Sequence, residues 1–130
     1  FGAQWLAFRL TQLDSHTGVS ISGDRARRCL GPVILGRLAR GEALQILEVG
    51  CGAGRFTEVL LDLGACVTSV DLSSAVEANQ TNFPQGPRHR VLQADVRRLP
   101  FAGGEFDVVF CLGVVQHTPS PEDTIARLYE

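Results

Sequence analysis

One stretch decides the fold of this chain: Ile46-Leu47-Glu48-Val49-Gly50-Cys51-Gly52-Ala53-Gly54-Arg55-Phe56-Thr57. An apolar strand carries an acidic residue near its end, three glycines follow at alternate positions, and a helix begins next. Glycines let the backbone turn tightly, and a ligand can touch the main chain because no Cβ intervenes. A plain structural turn would need only one glycine, so the stretch predicts a turn that binds a nucleotide-containing ligand.

The chain from Ala43 onwards alternates between strand and helix patterns. This alternation is typical of a parallel sheet with right-handed crossovers, and the continuous apolar strands indicate helices on both faces. We therefore predict an α/β, Rossmann-like parallel sheet whose four strands lie in the order 3-2-1-4. The predicted strands are residues 45–49, 66–70, 90–94 and 107–112, with helices from about 55 to 63, from 73 or 74, and from 120 or 121.

The first 42 residues are predicted to be a separate N-terminal helical or lid segment, and residues 43–130 to be the ligand-binding domain. Residues 1 to about 24 are expected to be irregular. Asp24 is a candidate N-cap for a helix that Gly31-Pro32 interrupts, after which a second helix is expected to end near residue 41.

Composition argues against several classes of partner. The formal net charge is -2, which gives no electrostatic reason to expect nucleic acid or an anionic membrane. No apolar run approaches the roughly 20 residues of a membrane span, and no signal peptide is visible. Because no C-x-x-C pair occurs, no metal site is expected, and the cysteines are predicted to be small buried residues in a reducing, cytoplasmic setting. They are Cys29, Cys51, Cys66 and Cys111.

Polar residues follow all four predicted strands, at the edge where parallel sheets bind their ligands. The glycine turn follows the first strand, Asp71 ends the second, Asp95 ends the third, and residues 113–117 follow the fourth. Asp71 lies about 20 residues beyond the first glycine, the spacing of an acid that holds ribose hydroxyls, although it could instead cap a helix. Asp95 could accept from an adenine amino group or be only a turn residue.

Glu48 indicates which ligand the turn binds. A carboxylate near the end of a buried strand is costly unless it is paired. Beside the glycine turn it would repel a pyrophosphate and favour a cationic ligand; the alternative is a strand-end glutamate that reaches solvent. The G-x-G-x-G spacing also differs from the G-x-G-x-x-G of dinucleotide-binding turns.

These motifs together resemble a class I S-adenosylmethionine-dependent methyltransferase and are similar to the bacterial small-molecule group. The resemblance covers about residues 43–130 and rests on four motifs in the expected order, at residues 48–54, 70–71, 94–95 and 106–110. It implies S-adenosyl-L-methionine as cofactor and a small-molecule methyl acceptor as partner. Such folds usually have seven strands, and three should follow residue 130, so we expect the chain to be truncated at its C-terminal end. Because it also contains no methionine, we expect a fragment or trimmed domain.

The resemblance assigns cofactor-binding residues by the part of the cofactor that each would contact. The ends of strands one and four would hold the methionine half, and the ends of strands two and three would hold the nucleoside. The first set is Glu48, Gly50, Cys51, Gly52, Gly54 and the backbone carbonyl region of Cys111. The second set is Asp71 on the ribose diol, Leu72 on adenine, and Asp95 with the Val96 amide on the adenine edge. The N-terminal segment, with Trp5 and Phe8, lies where the family often has a lid.

His117, just beyond the fourth strand, is the candidate catalytic residue. The sulfonium makes the methyl group an electrophile, so the protein mainly aligns a nucleophile and excludes water. A hydroxyl or acidic carbon acceptor would need a base, and His117 is near enough in sequence to the site to serve. The alternative is a structural loop histidine. His16 and His89 lie in segments with no motif and are assigned no role.

Two further functions remain open from the sequence. An NAD(P)-dependent oxidoreductase would share the fold and the ribose acid, but the glycine spacing and Glu48 argue against it. A non-catalytic cofactor-binding module would keep the fold and bind the cofactor or a protein partner. The intact cofactor residues count only weakly against that second alternative.

Overall fold

The computed structural model describes residues 2–130. These residues contain one four-stranded sheet and the helices that pack on it. Its strands all run parallel, in the spatial order β3-β2-β1-β4. The fold class and strand order predicted from the sequence are therefore confirmed, and every strand boundary lies within one residue of its prediction. The strands are β1 (Gln45–Val49), β2 (Cys66–Asp71), β3 (His89–Gln93) and β4 (Val108–Cys111).

Helices cover both faces of this sheet. The helices α3, α4 and α5 lie on one face, whereas α6 and the segment after β3 lie on the other. No helix within residues 2–130 is long and apolar enough to cross a membrane. The helices are α1 (Gly2–Ala7), α2 (Asp14–Thr17), α3 (Ile21–Ala39), α4 (Arg55–Asp62), α5 (Ala75–Asn82) and α6 (Pro121–Tyr129), with 3₁₀ turns at Val96–Arg98 and Val115–His117.

The N-terminal segment is more ordered than predicted. The expectation of irregular structure up to about residue 24 is wrong, because α1, α2 and the start of α3 lie there. Asp24 is not the cap of α3: Asp14 accepts hydrogen bonds from the backbone N–H groups of Ser22 (3.1 Å) and Gly23 (2.8 Å). The predicted interruption is confirmed by a non-helical backbone at Gly31, where φ is 74°.

The side chains of β1 alternate between the two faces, and this alternation divides the core. Ile46 is fully buried and packs with α3 and α4, while Leu47 and Val49 pack on the opposite side with Val70. Full burial of a side chain of this size stabilises the fold by about 1.5–3 kcal/mol. By the same alternation Glu48 shares the face of Ile46, which places its carboxyl group beneath α4.

Gly54 gives a direct test of this packing. Its φ is +108°, and a Cβ there would overlap the Phe83 ring. We expect Gly54→Ala to lower the free energy of unfolding by about 2–5 kcal/mol, because left-handed backbone strain and overpacking both contribute. Chemical denaturation at equilibrium measures the loss.

Gly64→Ala is the matched control, since Gly64 also has a positive φ (+92°) but a Cβ there would meet open space. It should cost about 1–2 kcal/mol, the backbone contribution alone. Equal losses in the two variants would show that the contact with Phe83 contributes nothing.

Candidate functional site

A cleft of about 710 Å³ lies at the carboxyl ends of the strands. Segments that follow each of the four strands line it, together with part of the N-terminal segment. The structure thus brings together the strand ends that the sequence singled out. Of the predicted site residues, the cleft is lined by Gly50, Cys51, Gly52, Asp71, Leu72, Asp95, Val96 and His117.

The glycine loop is held by the end of β2. The backbone N–H groups of Gly50 and Cys51 both donate to the Val70 carbonyl oxygen, at 2.8 and 3.0 Å. Gly50 has a φ of +76°, and a Cβ there would overlap Val114, so this turn requires glycine for conformation and for space. The loop backbone is consequently fixed and faces the cleft.

Asp71 connects the loop to the start of the next helical segment. Its Oδ2 accepts from the Gly52 N–H at 2.9 Å, and its Oδ1 accepts from the N–H and the hydroxyl of Ser73 at 2.9 and 2.8 Å. These bonds fix the orientation of the carboxylate. Each carboxylate oxygen can accept more than one hydrogen bond, so Asp71 can still receive hydroxyl donors from a ligand in the cleft.

Two neighbouring residues give the cleft an apolar and an anionic contact. Leu72 is 65% exposed and lines the cleft, where its side chain offers an apolar surface that a bound ligand could cover. Asp95 forms a bidentate ion pair with Arg97, whose Nη2 lies 2.6 Å from Oδ2. The hydrogen bonds from Arg97 lower the pKa of Asp95 to about 2, so this carboxylate is ionised at neutral pH.

Glu48 does not face the cleft, and the prediction that it would contact a cationic ligand directly is wrong for this structure. It is 2% exposed, and its Oε2 accepts from the hydroxyls of Thr57 (2.6 Å) and Ser69 (2.7 Å). Burial raises its pKa to about 7. The cause is the alternation along β1, which directs Glu48 under α4 instead of toward the loop surface.

Two more predicted residues lie outside the cleft lining. Gly54 is buried against Phe83, where it allows α4 to start close to α5. The Cys111 side chain is half-buried, and burial raises its pKa. Its neighbours Leu112 and Gly113 line the cleft instead.

Sequence reasoning missed other residues at the cleft. Trp5, expected only as part of a lid, lies directly on the loop: its Cε2 is 3.7 Å from where a Gly52 Cβ would be. Arg55 also lines the cleft and donates from Nε to the buried Ser22 hydroxyl at 2.9 Å. The position of Arg55 directly after the third glycine was the available signal. Val114 lies within residues 113–117, which the sequence places at this edge, whereas Gln12 follows only from the tertiary structure.

Comparison with known proteins identifies the family. A family model described as "Methyltransferase domain" matches residues 47–130. A malonyl-[acyl-carrier protein] O-methyltransferase from Enterobacter lignolyticus is 33% identical over 96 residues, which cover 74% of this chain and 38% of that protein. A ubiquinone biosynthesis O-methyltransferase from Nitrosococcus oceani is 39% identical over 85 residues, or 63% of this chain and 36% of that protein. The chain therefore spans little more than a third of these relatives.

Solved structures show the same fold at lower identity. The trans-methyltransferase CalH, in complex with SAH, has a TM-score of 0.64 and 22% identity; the match covers 75% of this chain and 31% of that one. The glycopeptide N-methyltransferase MtfA, complexed with sinefungin, has a TM-score of 0.62 and 22% identity, with coverage of 82% and 44%. Taken with the family match and the cleft geometry, these findings show that the chain belongs to the class I S-adenosylmethionine-dependent methyltransferases.

Proposed function

We propose that this domain binds S-adenosylmethionine in the cleft and serves the transfer of its methyl group to a small-molecule acceptor. The observation that carries the proposal is the bond between the Gly52 N–H and the Asp71 carboxylate, which joins the glycine loop to the ribose-binding acid. The cleft, at about 710 Å³, lies within the range of about 300–1,000 Å³ that is typical of small-molecule sites.

The nucleoside part would lie on the ends of β2 and β3. In this proposal Asp71 accepts from the ribose hydroxyls, Leu72 covers one face of adenine, and the Val96 amide donates to the ring. Asp95 would accept from the adenine amino group. Since Arg97 already binds both oxygens of Asp95, the adenine amino group would use a remaining lone pair beside Arg97.

The methionine part would lie over the glycine loop, between the ends of β1 and β4. The backbone of Gly50, Cys51 and Gly52 faces this region, and the carbonyl of Cys111 remains the candidate acceptor for the amino group. Gly54 acts indirectly in this proposal, because it only permits the close packing of α4. Glu48 likewise has no direct contact with the cofactor.

The sulfonium of the cofactor supplies the methyl group as an electrophile. The chain's own contribution would be to exclude water and to align the acceptor, with Trp5, Phe56 and Val114 as the apolar lining of the cleft. His117 lies in the same lining and would take the proton of the attacking group. The two relatives are named as O-methyltransferases, which favours a hydroxyl or carboxyl oxygen as the attacking atom.

Location and partners are part of the same proposal. The cysteines at 29, 51, 66 and 111 are all free thiols in the structure, which supports a reducing, cytoplasmic location. A small-molecule acceptor is favoured over nucleic acid because the net charge of the chain is -2.

A non-catalytic binding module is the alternative, and methyl transfer from radiolabelled cofactor into small-molecule extracts would separate it from an enzyme.

Calorimetric titration with two ligands tests the cofactor assignment. We expect S-adenosylhomocysteine to bind and NADH not to bind, because the loop has the G-x-G-x-G spacing and not the G-x-G-x-x-G spacing of dinucleotide-binding turns. Binding of NADH alone would instead support the oxidoreductase alternative.

Asp71→Ala tests the ribose contact. We expect it to weaken the binding of S-adenosylhomocysteine by about 1–3 kcal/mol, the usual cost of a lost hydrogen bond to a charged group. Ser73→Ala is the matched control, because it removes one support of the carboxylate and leaves the charge; it should cost about 1 kcal/mol or less. Unchanged affinity in Asp71→Ala would remove this residue from the site.

His117→Gln tests the proton acceptor. We expect the turnover number to fall about 10²–10⁴-fold, the usual contribution of a general base, with little change in cofactor affinity. Methyl transfer from radiolabelled cofactor into the small-molecule extract fraction that accepts it measures this rate. A parallel loss of cofactor affinity would indicate that His117 shapes the pocket and does not move a proton.

A further inference from the structure

A cluster of five polar side chains lies in the core beneath the glycine loop. Each is at most 5% exposed, none lines the cleft, and the proposed methyl transfer uses none of them directly. We call it the buried polar cluster; its members are Glu48, Thr57, Ser69, Asn79 and His89. Buried polar groups destabilise the fold unless they form hydrogen bonds. Each group in the cluster must therefore act as a donor or an acceptor toward its neighbours, and this requirement limits where the hydrogens can lie.

One proton in the cluster is fixed by geometry. The Nδ1 of His89 lies 3.0 Å from the Phe83 carbonyl oxygen, which can only accept, so Nδ1 carries a hydrogen. The other ring nitrogen, Nε2, lies 3.1 Å from the Ser69 hydroxyl oxygen. That hydroxyl oxygen is also 2.7 Å from Oε2 of Glu48. Ser69 therefore stands between the imidazole and the carboxyl group.

Two arrangements of hydrogens satisfy both contacts of Ser69. If His89 is neutral, Ser69 donates to Nε2, and Glu48 must be protonated to donate to Ser69. If His89 is charged, Nε2 donates to Ser69, and Ser69 donates to an ionised Glu48. Both arrangements hold the same number of protons. If the cluster loses one proton, the single O–H of Ser69 can donate to only one of its two neighbours. The Ser69 oxygen then faces the other neighbour with no hydrogen between them.

The surroundings of Glu48 favour the neutral arrangement. Burial raises its pKa to about 7, its Oε1 has no hydrogen-bond partner within residues 2–130, and the negative charge of Asp71 acts in the same direction. Burial lowers the pKa of His89. The Cys51 thiol, whose pKa burial also raises, adds no charge. The neighbours from α4, α5 and β4 are uncharged: Thr57, Asn79 and Phe110.

The cluster is connected to the cofactor loop through Thr57. This residue lies in the first turn of α4, three residues after Gly54, and its hydroxyl donates to Oε2 of Glu48 at 2.6 Å. Asn79 donates to the Thr57 hydroxyl oxygen at 2.9 Å. A displacement of the Glu48 carboxyl group would therefore be transmitted to the point where the loop enters α4.

We propose that Ser69 and His89 are positioning residues for the cofactor loop, which share one proton with Glu48 and thereby hold the start of α4. The proposal rests on the proposed function, because it requires that the loop binds the cofactor. It predicts that the cluster loses its shared proton as the pH rises and that the loop then binds its ligand less tightly. By linkage, ligand binding raises the affinity of the cluster for its proton by the same factor.

The experiment is calorimetric titration with S-adenosylhomocysteine on both sides of neutral pH. If binding raises the pKa of the shared proton by one unit, the protein should bind S-adenosylhomocysteine about tenfold more weakly at about pH 8.5 than at about pH 6. Glu48→Gln replaces the carboxyl group by an amide that neither gains nor loses a proton in this pH range, so this dependence should disappear. Ser69→Ala should also lose it. His16→Gln, which removes an exposed histidine of α2, is the matched control and should keep it.

Comparison among these proteins separates the effect from the titration of the ligand itself, which is common to all of them. Equal pH dependence in wild type and Glu48→Gln overturns the proposal. If wild type binds S-adenosylhomocysteine at neither pH, the proposed function fails. Nitrogen-15 NMR of the wild-type imidazoles then tests the proposal independently of ligand binding. The proposal predicts a neutral His89 with its hydrogen on Nδ1. A neutral ring with its hydrogen on Nε2 overturns the proposal.

Discussion

Three consecutive backbone amides at the end of β1 are bound by the end of β2, and the functional end of the molecule depends on this arrangement. Gly50 and Cys51 donate to the Val70 carbonyl, and Gly52 donates to Asp71. The left-handed backbone at the two glycines follows from these bonds. Because α4 begins directly after the loop, its position is set by the same contacts. Strand pairing, loop conformation and helix start are thus one structural unit.

Much of the fold could be predicted because its signals are local. Apolar runs, alternate glycines and strand-end acids each act over a few residues, and parallel pairing then places the strand ends at one edge. The N-terminal segment was harder, because the cap of α3 is supplied by Asp14 from outside the helix. A cap from eight or nine residues away leaves no pattern in the sequence beside Ile21, where the helix begins.

Parts of the candidate site could likewise be predicted from local sequence, and other parts depend on the tertiary structure. The positions of Asp71 and Asp95 follow from their place at strand ends, but the ion pair of Asp95 with Arg97 depends on a local turn. Glu48 was placed wrongly because the expectation weighed its distance from the glycines and not its face of the strand. His89 offered no motif, since Ser69 connects it to Glu48 only when three strands lie side by side.

Trp5 is the only tryptophan of the chain, and it lies on the glycine loop at Gly52. Indole emission responds to the polarity and packing around the ring, so the tryptophan fluorescence of this chain originates at the loop and not in the core. A change in emission on adding a ligand would therefore describe the environment of the loop itself. The N-terminal helix in this way gives the domain an internal optical probe of its own cleft.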